Sequence, residues 1–216
     1  EDVTLLDLAA KSGCRGLLMG LESIRRENLE QSHKRFNHLD GYGRVVELLH
    51  ERQIALQGCF VFGMDHDTPA VFRETAEMAV DIGIDLPRFA IVTPFPSTGL
   101  YRQLDQQGRL LTRDWSLYDG QHVVFQPAQL EVDELLHGNE AAWKYAYSWR
   151  NIAARLRQTA APWYVAMSTN LGYRYYAHRL SRFYTCDWMS GANPVHSLLP
   201  TSAVPPVNIV SNGGGS

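Results

Sequence analysis

The sequence predicts an α/β fold in which parallel strands alternate with helices, followed by an α-helical C-terminal extension. Three apolar segments bounded by glycines or turn residues, at 14–23, 54–64 and 87–96, are typical of buried parallel strands. They recur about every 37 residues with helical patterns between them, which is the spacing of β-α-β units. A complete eightfold barrel takes about 200–250 residues. We therefore interpret 1–110 as the C-terminal half of a larger β/α barrel whose first half precedes this chain.

Periodicity and end signals support each helix in turn. The first begins inside an apolar pattern and ends at Gly13. The clearest end signals belong to the helix at 68–83, with Thr68 as the predicted N-cap and Pro69 as the first helical residue. The predicted helices cover 3–12, 42–53, 68–83, 97–107, 131–158 and 163–184, with a short helix and a loop at 24–38.

The chain changes character after residue 110, where aromatic and turn residues precede a long predicted helix at 131–158. The residues on one face of that helix are Trp143, Ala146, Tyr147 and Arg150. We therefore expect a helical extension of the barrel at 111–160. We expect a helical segment and a flexible tail at 161–216, because Gly, Ser, Asn and Pro dominate from Asp187 onward.

Composition narrows the class of protein. The 216 residues carry a net charge of −3, which argues against a nucleic-acid-binding domain. No stretch approaches the roughly 18 consecutive apolar residues of a membrane-spanning helix. Three widely spaced cysteines, Cys14, Cys59 and Cys186, argue against a disulfide framework and favour a reducing cytoplasm.

The C-terminal ends of the strands are where parallel β/α folds bind ligands. The candidate residues at or just after the first and third strand ends are Glu22, Ser23, Lys34, Arg35, Thr93 and Pro94. A carboxylate at Glu22 can accept hydrogen bonds from a ligand amine or a ribose hydroxyl. It can equally form a salt bridge with Arg25, Arg26 or Lys34, and the sequence leaves both interpretations open.

The second strand is followed by Asp65, His66 and Asp67, a trio that suggests a metal site. The three residues are adjacent, so at most two could converge on one ion, and no matching ligand set lies nearby. Alternatively, Asp65 and Asp67 are loop and N-cap residues of the next helix, where the helix dipole favours a carboxylate. The sequence favours this second interpretation, and a metal hydrolase built on the trio is the weakest hypothesis.

Four segments together resemble the C-terminal half of radical S-adenosylmethionine (SAM) enzymes. They are GLES after the first strand, HKRFN in the following loop, GCFVFGMDHDT around the second strand and TPFPSTGLY after the third. The extension GRLLTRDWSLYDGQHVVFQP looks like the subgroup that carries an N-terminal cobalamin-binding domain. The resemblance covers roughly 1–155 and implies a partial (β/α)6 TIM-like barrel.

The resemblance also implies cofactors and a site. A [4Fe–4S] cluster would cleave SAM to a 5′-deoxyadenosyl radical, with electrons from a reductant such as flavodoxin or ferredoxin. A small-molecule substrate would then be methylated or rearranged. Cobalamin is a further expected cofactor. Carried over to this sequence, the SAM-binding residues are Glu22, Ser23 and Lys34 or Arg35 for the amino-acid part or ribose, Gln57, Cys59 and Val61 for the ribose, and Val92, Thr93 and Pro94 for the adenine.

The cluster motif of this family, CxxxCxxC, is absent, because the three cysteines lie 45 and 127 residues apart. We therefore expect the cluster ligands and the cobalamin domain to lie outside this chain, which is either a fragment of a longer enzyme or a decayed homologue. We favour the fragment. The alternative is a non-catalytic β/α module that binds a nucleotide-like ligand or a partner.

Overall fold

A computed structural model describes residues 3–31 and 41–180 of the protein. Its centre is a parallel three-stranded sheet in the order β1-β2-β3. The strands are β1 (Gly16–Glu22), β2 (Ala55–Phe62) and β3 (Arg88–Ile91). The three predicted parallel strands are thus confirmed, each somewhat shorter than its apolar segment.

Eight α-helices accompany the sheet within the described residues. They are α1 (Val3–Lys11), α2 (Arg26–Gln31), α3 (Tyr42–His50), α4 (Val71–Asp81), α5 (Gly99–Gln106), α6 (Val132–Ala146), α7 (Trp149–Leu156) and α8 (Trp163–Ala177). A 3-10 helix, Trp115–Leu117, lies in the aromatic connection between α5 and α6. Two of the helices, α6 and α8, reach 15 residues. In the described part of the chain, no helix has the length and apolar character needed to cross a membrane.

The single long helix predicted at 131–158 is wrong, because the structure divides it into α6 and α7. Tyr147 leaves the helical region at φ −102° and ψ 24°, and its hydroxyl donates to the carbonyl of Pro87 at 2.8 Å. Ser148 then caps α7 by accepting a hydrogen bond from the Asn151 amide. Of the four residues predicted to share one helix face, Trp143, Ala146 and Tyr147 are buried, whereas Arg150 is exposed.

Two predicted helix ends also differ. Helix α4 begins at Val71 with Ala70 as its N-cap and no capping side chain, so Thr68 is not the N-cap. Residues 68–70 form a turn instead, in which the Val71 amide donates to the Thr68 carbonyl. Helix α8 ends at Ala177. The predicted helical residues after 180 and the predicted tail lie outside the described residues.

The two faces of the sheet differ in character. Along β2, Leu56, Gly58, Phe60 and Phe62 are buried and alternate with half-buried residues, as expected when side chains alternate across a strand. The buried set forms the outer face, where Phe62 packs against Phe72 of α4 at a ring distance of 4.9 Å. The half-buried set lies on the opposite, inner face, which in a β/α barrel is the face toward ligands.

Side chains of α6 and its C-terminal cap cover the free edge of β3. The Trp143 indole donates to the Phe89 carbonyl at 3.0 Å, beside the bond from Tyr147 to Pro87. The Ile91 amide, on the same edge, donates to the Gly120 carbonyl at 2.7 Å. Backbone groups at the rim of the sheet are thereby hydrogen-bonded without a further strand.

Candidate functional site

The inner face of the sheet brings together part of the predicted site. The strand register places Gly20, Cys59 and Arg88 side by side across β1, β2 and β3. Gln57 lies on the same face two residues before Cys59, and Glu22 lies at the C-terminal end of β1. Glu22, Gln57 and Cys59 are half-buried, and Arg88 is exposed.

Glu22 stands at an irregularity in β1. The pairing register with β2 shifts between Gly20 and Glu22, and Glu22 has φ 70°, a conformation that non-glycine residues seldom adopt. Such a bulge redirects a side chain at a strand end. Tyr42 holds the end of the strand, because its hydroxyl donates a hydrogen bond to the Leu21 carbonyl at 2.7 Å.

The charge of Glu22 influences both neighbours. Burial, with a contribution from Glu22, raises the pKa of Tyr42 to about 12. Burial also raises the pKa of the Cys59 thiol, where Arg88 opposes and Glu22 reinforces the effect. Cys59 is therefore a neutral thiol at pH 7, suited to line a ligand site rather than to act as a nucleophile or a thiolate ligand.

Gln57 connects the inner face to the C-terminal helices. Its side-chain amide donates to the Tyr173 hydroxyl at 3.0 Å, across 116 positions of sequence. Tyr173 in turn stacks on Trp143 and Tyr147. Helix α8 therefore forms one wall of the inner face.

Other predicted site residues are engaged in local turns. The Ser23 hydroxyl accepts hydrogen bonds from the Arg25 amide at 3.0 Å and from Asn28 at 3.3 Å. Thr93 donates its hydroxyl to the Ile91 carbonyl, and Pro94 is buried. Their contact with a ligand stays a prediction. Lys34 and Arg35 lie outside the described residues.

A cleft of about 450 Å³ opens at the C-terminal ends of β2 and β3. Its lining includes Val92, which was predicted, and Asn28, Gln31, Met64 and Gln103, which were not. Asn28 and Gln31 are one helical turn apart on α2, directly after the GLES strand. That spacing is the signal in the sequence that could have indicated them.

The trio after β2 has three different environments. Both oxygens of Asp65 are taken, by Arg109 at 2.9 Å and Gln31 at 3.1 Å. Burial acts to raise the pKa of Asp65, but these hydrogen bonds outweigh it, so the pKa lies below its usual value. His66 is exposed. The side chains therefore do not converge on a common ligand position.

Asp67 closes the loop that follows β2. Its carboxylate accepts hydrogen bonds from the amides of Gly63 and Met64 at 2.9 and 3.1 Å, and from Asn28 at 2.8 Å. Burial nevertheless raises its pKa. Gly63 has φ 98°, where an added methyl group would meet Leu135. The loop is thus shaped by hydrogen bonds and by a glycine conformation, and Asp67 caps this loop rather than α4.

The described residues do not fit a [4Fe–4S] cluster. Such a site needs three cysteine thiolates when a ligand fills the fourth position. Two cysteines, Cys14 and Cys59, lie within 3–31 and 41–180. No group of three His, Cys, Asp or Glu side chains in those ranges could hold a metal ion.

The structure is a parallel β/α domain with a half-buried inner face and a cleft at the C-terminal edge of its sheet. No family model matches the chain. It is 32% identical over 157 residues to a bacteriochlorophyllide d C-12(1)-methyltransferase of Chlorobaculum tepidum. This alignment covers 73% of this chain and 34% of the relative. A bacteriochlorophyllide d C-8(2)-methyltransferase of the same organism is 28% identical over 72% of the chain and 35% of the relative.

A third relative widens the range of reactions. The anaerobic magnesium-protoporphyrin IX monomethyl ester cyclase of Cereibacter sphaeroides is 27% identical over 73% of this chain and 26% of the relative. The chain thus spans about a third or less of the length of these curated relatives. By their names all three are enzymes, two methyltransferases and one cyclase.

Proposed function

We propose that this chain is the C-terminal part of a radical SAM enzyme that modifies a tetrapyrrole. The observation that carries the proposal is the similarity over 157 residues to a bacteriochlorophyllide methyltransferase. The other two relatives also have tetrapyrroles in their names, although one is a cyclase. Methyl transfer is therefore the reaction we favour, and a rearrangement or ring closure is the second choice.

The inner face is the proposed binding surface for SAM. Glu22 would accept hydrogen bonds from the amino group or ribose hydroxyls, while Gln57 and the neutral thiol of Cys59 would line the ribose. Val92 would lie by the adenine at the mouth of the cleft. A cluster held outside this chain would supply one electron to SAM, which would then cleave to methionine and a 5′-deoxyadenosyl radical.

The parallel sheet is compatible with a partial (β/α)6 barrel completed by strands outside this chain. Leu18 on the inner face of β1 is 62% exposed, and Leu8 on α1 is also exposed. Apolar surface of this kind is expected where further β/α units pack. A cobalamin-binding domain, a flavodoxin or ferredoxin partner and a cytoplasmic location belong to the same proposal.

The proposal is tested by expressing the complete reading frame without oxygen and measuring cluster absorbance, 5′-deoxyadenosine release and SAM affinity. We expect Glu22→Gln to weaken SAM binding about tenfold, as for loss of one charged hydrogen bond. Glu30→Gln, on the exposed side of α2, is the matched control. A complete reading frame without a CxxxCxxC motif, or with the motif but without 5′-deoxyadenosine release, would contradict the proposal.

A non-catalytic module is the second candidate, motivated by the exposed apolar side chain of Leu18 on the edge strand β1. In that case the 216-residue chain should unfold cooperatively and bind a nucleotide-like ligand or a partner. It should not bind SAM. Calorimetry of the isolated chain with SAM separates the two candidates.

A further inference from the structure

Helix α8 carries apolar and aromatic side chains on opposite sides. Its inward side, including Ala166, Tyr173 and Ala177, packs against the remaining helices. Its outward side exposes Tyr164, Leu171 and Tyr175 along one stripe, at helical spacings of seven and four residues. A helix that is apolar on both sides is normally covered on both, so the outward stripe indicates an interaction surface.

Two exposed tryptophans stand at the starts of α8 and α7. Trp163, at the start of α8, is 74% exposed, and Trp149, at the start of α7, is 60% exposed. We call the exposed side chains of Trp149, Trp163, Tyr164, Leu171 and Tyr175 the α7–α8 surface. Arginines lie over its rings, with the Arg174 guanidinium 4.4 Å from the Trp149 ring centre and that of Arg179 4.0 Å from the Tyr175 ring centre.

The charge around the α7–α8 surface has one sign. Residues 141–180 contain six Lys and Arg and no Asp or Glu, in a chain whose net charge is −3. Arg155 is buried, with its guanidinium on the Ala146 carbonyl and Asn170. Arg150, Arg157 and Arg179 are exposed. The segment is therefore a basic, aromatic surface on an acidic protein.

The aromatic, basic and aliphatic side chains of this surface together favour a lipid bilayer as the partner. Tryptophan and tyrosine prefer the headgroup level of a lipid bilayer, and basic residues beside them are attracted to anionic lipids. The aliphatic Leu171 and Val165, both exposed, suit acyl chains better than nucleotide bases.

We propose that the α7–α8 surface docks the protein onto an anionic lipid membrane. The helices lie on the bilayer, with the tryptophans and tyrosines at the headgroup level and Arg150, Arg157 and Arg179 near lipid phosphates. This proposal is independent of the radical SAM assignment, because it uses no residue of the inner face or the cleft.

Vesicle sedimentation of the complete chain tests the charge requirement. We expect binding to vesicles of mixed phosphatidylcholine and phosphatidylglycerol, weaker binding to phosphatidylcholine alone, and loss of binding as salt screens the charges. Arg157→Gln with Arg179→Gln should weaken binding about 25-fold, from about fivefold for each arginine near the surface. Arg44→Gln with Arg113→Gln changes the net charge equally on exposed side chains elsewhere, and should bind like the wild type.

A second pair of variants tests the aromatic requirement. Trp163→Ser with Tyr164→Ser should lower vesicle binding at least tenfold, at the scale of burying exposed aromatic side chains, whereas Trp115→Ser, at another exposed tryptophan, should leave it unchanged. Circular dichroism checks that all variants stay folded. The proposal is overturned by equal binding to both vesicle types, by no vesicle binding, by preferential binding of single-stranded nucleic acid, or by a dimer that the same variants dissociate.

Discussion

Glu22 shows how a single backbone angle marks a site. Its φ of 70° costs a residue with a Cβ atom roughly 1–2 kcal/mol, and such strain is often retained at functional positions. The bulge places a carboxylate near Cys59 and Tyr42, whose pKa values are raised by burial and, to a smaller extent, by the charge of Glu22. The position therefore has a cost in stability that a ligand contact would explain.

Glycine should be more stable than alanine at this position. We expect Glu22→Gly to have a free energy of unfolding about 1 kcal/mol higher than Glu22→Ala, because glycine adopts positive φ without strain. At Glu47, inside α3, the order should reverse by a similar amount, because glycine weakens a helix. Urea denaturation of the four variants measures both differences, and equal stabilities at Glu22 would show that the position is not strained.

We expect Asp85 to contribute to the acid stability of the protein. This buried carboxylate accepts hydrogen bonds from His50 and the Leu56 amide, each at 2.8 Å, and from Thr159. Burial acts to raise the pKa of Asp85, but these hydrogen bonds outweigh it, so the pKa lies below the ordinary value.

A lowered pKa in the folded state gives stability that is present above the unfolded pKa of about 3.9. It is lost as pH falls through the folded value. We expect the free energy of unfolding to fall below about pH 4, and Asp85→Asn to have a shallower slope there. Urea denaturation from pH 2 to 6 measures both slopes, and parallel curves would contradict the prediction. Asp85 was not a sequence candidate, because its partners come from three distant segments.

At the scale of elements, the parallel strands and most helices could be predicted from periodicity and end signals. The break between α6 and α7 could not, since it depends on the bond from Tyr147 to the Pro87 carbonyl, 60 positions away. Thr68 and Pro69 carry a helix-start pattern, yet α4 begins at Val71. The Asp67 carboxylate just before them is engaged with the loop after β2. Local signals thus failed where long-range contacts determine the geometry.

Gly138 fixes the packing of α6 on α4. A Cβ atom at Gly138 would overlap the Phe72 ring, whereas one at Gly172 of α8 would have nothing within 4 Å. Alanine improves helix propensity by about 1 kcal/mol at either position, but overpacking costs about 1–3 kcal/mol.

We therefore expect Gly138→Ala to lower the free energy of unfolding by up to about 2 kcal/mol, while Gly172→Ala raises it by up to about 1 kcal/mol. Thermal unfolding of both variants checks this contrast. A stabilising Gly138→Ala would mean that the two helices can separate without cost.

At the scale of the whole molecule, Leu8 on α1 and Leu18 on the edge strand β1 are both exposed apolar side chains. Edge strands with apolar side chains promote association. We expect Leu18→Lys to raise the concentration at which the isolated chain self-associates and to change its unfolding free energy by less than about 0.5 kcal/mol. Sedimentation velocity over a concentration series measures the association. Unchanged association would show that a surface other than Leu18 mediates self-association.

The inner face could be predicted as a ligand surface from strand order alone, and Glu22, Gln57 and Cys59 do lie there together. The cleft could not, because Asn28, Gln103 and Phe125 come from separate segments and show no shared motif. The α7–α8 surface was also missed, since its aromatic residues look like core residues in the sequence.

Helix α8 joins these two regions, because Tyr173 contacts Gln57 while Tyr164 and Leu171 face solvent on the other side. A shift of this helix on a bilayer would therefore change the position of Tyr173 relative to Gln57 on the inner face. Thermodynamic linkage then requires reciprocity: if lipid changes the affinity for a ligand by some factor, the ligand changes the affinity for lipid by the same factor. Titrating SAM into the complete protein with and without vesicles would give one measurement of that factor. Titrating vesicles with and without SAM would give a second, independent measurement. Tyr173→Phe, which removes the bond to Gln57, should reduce that factor.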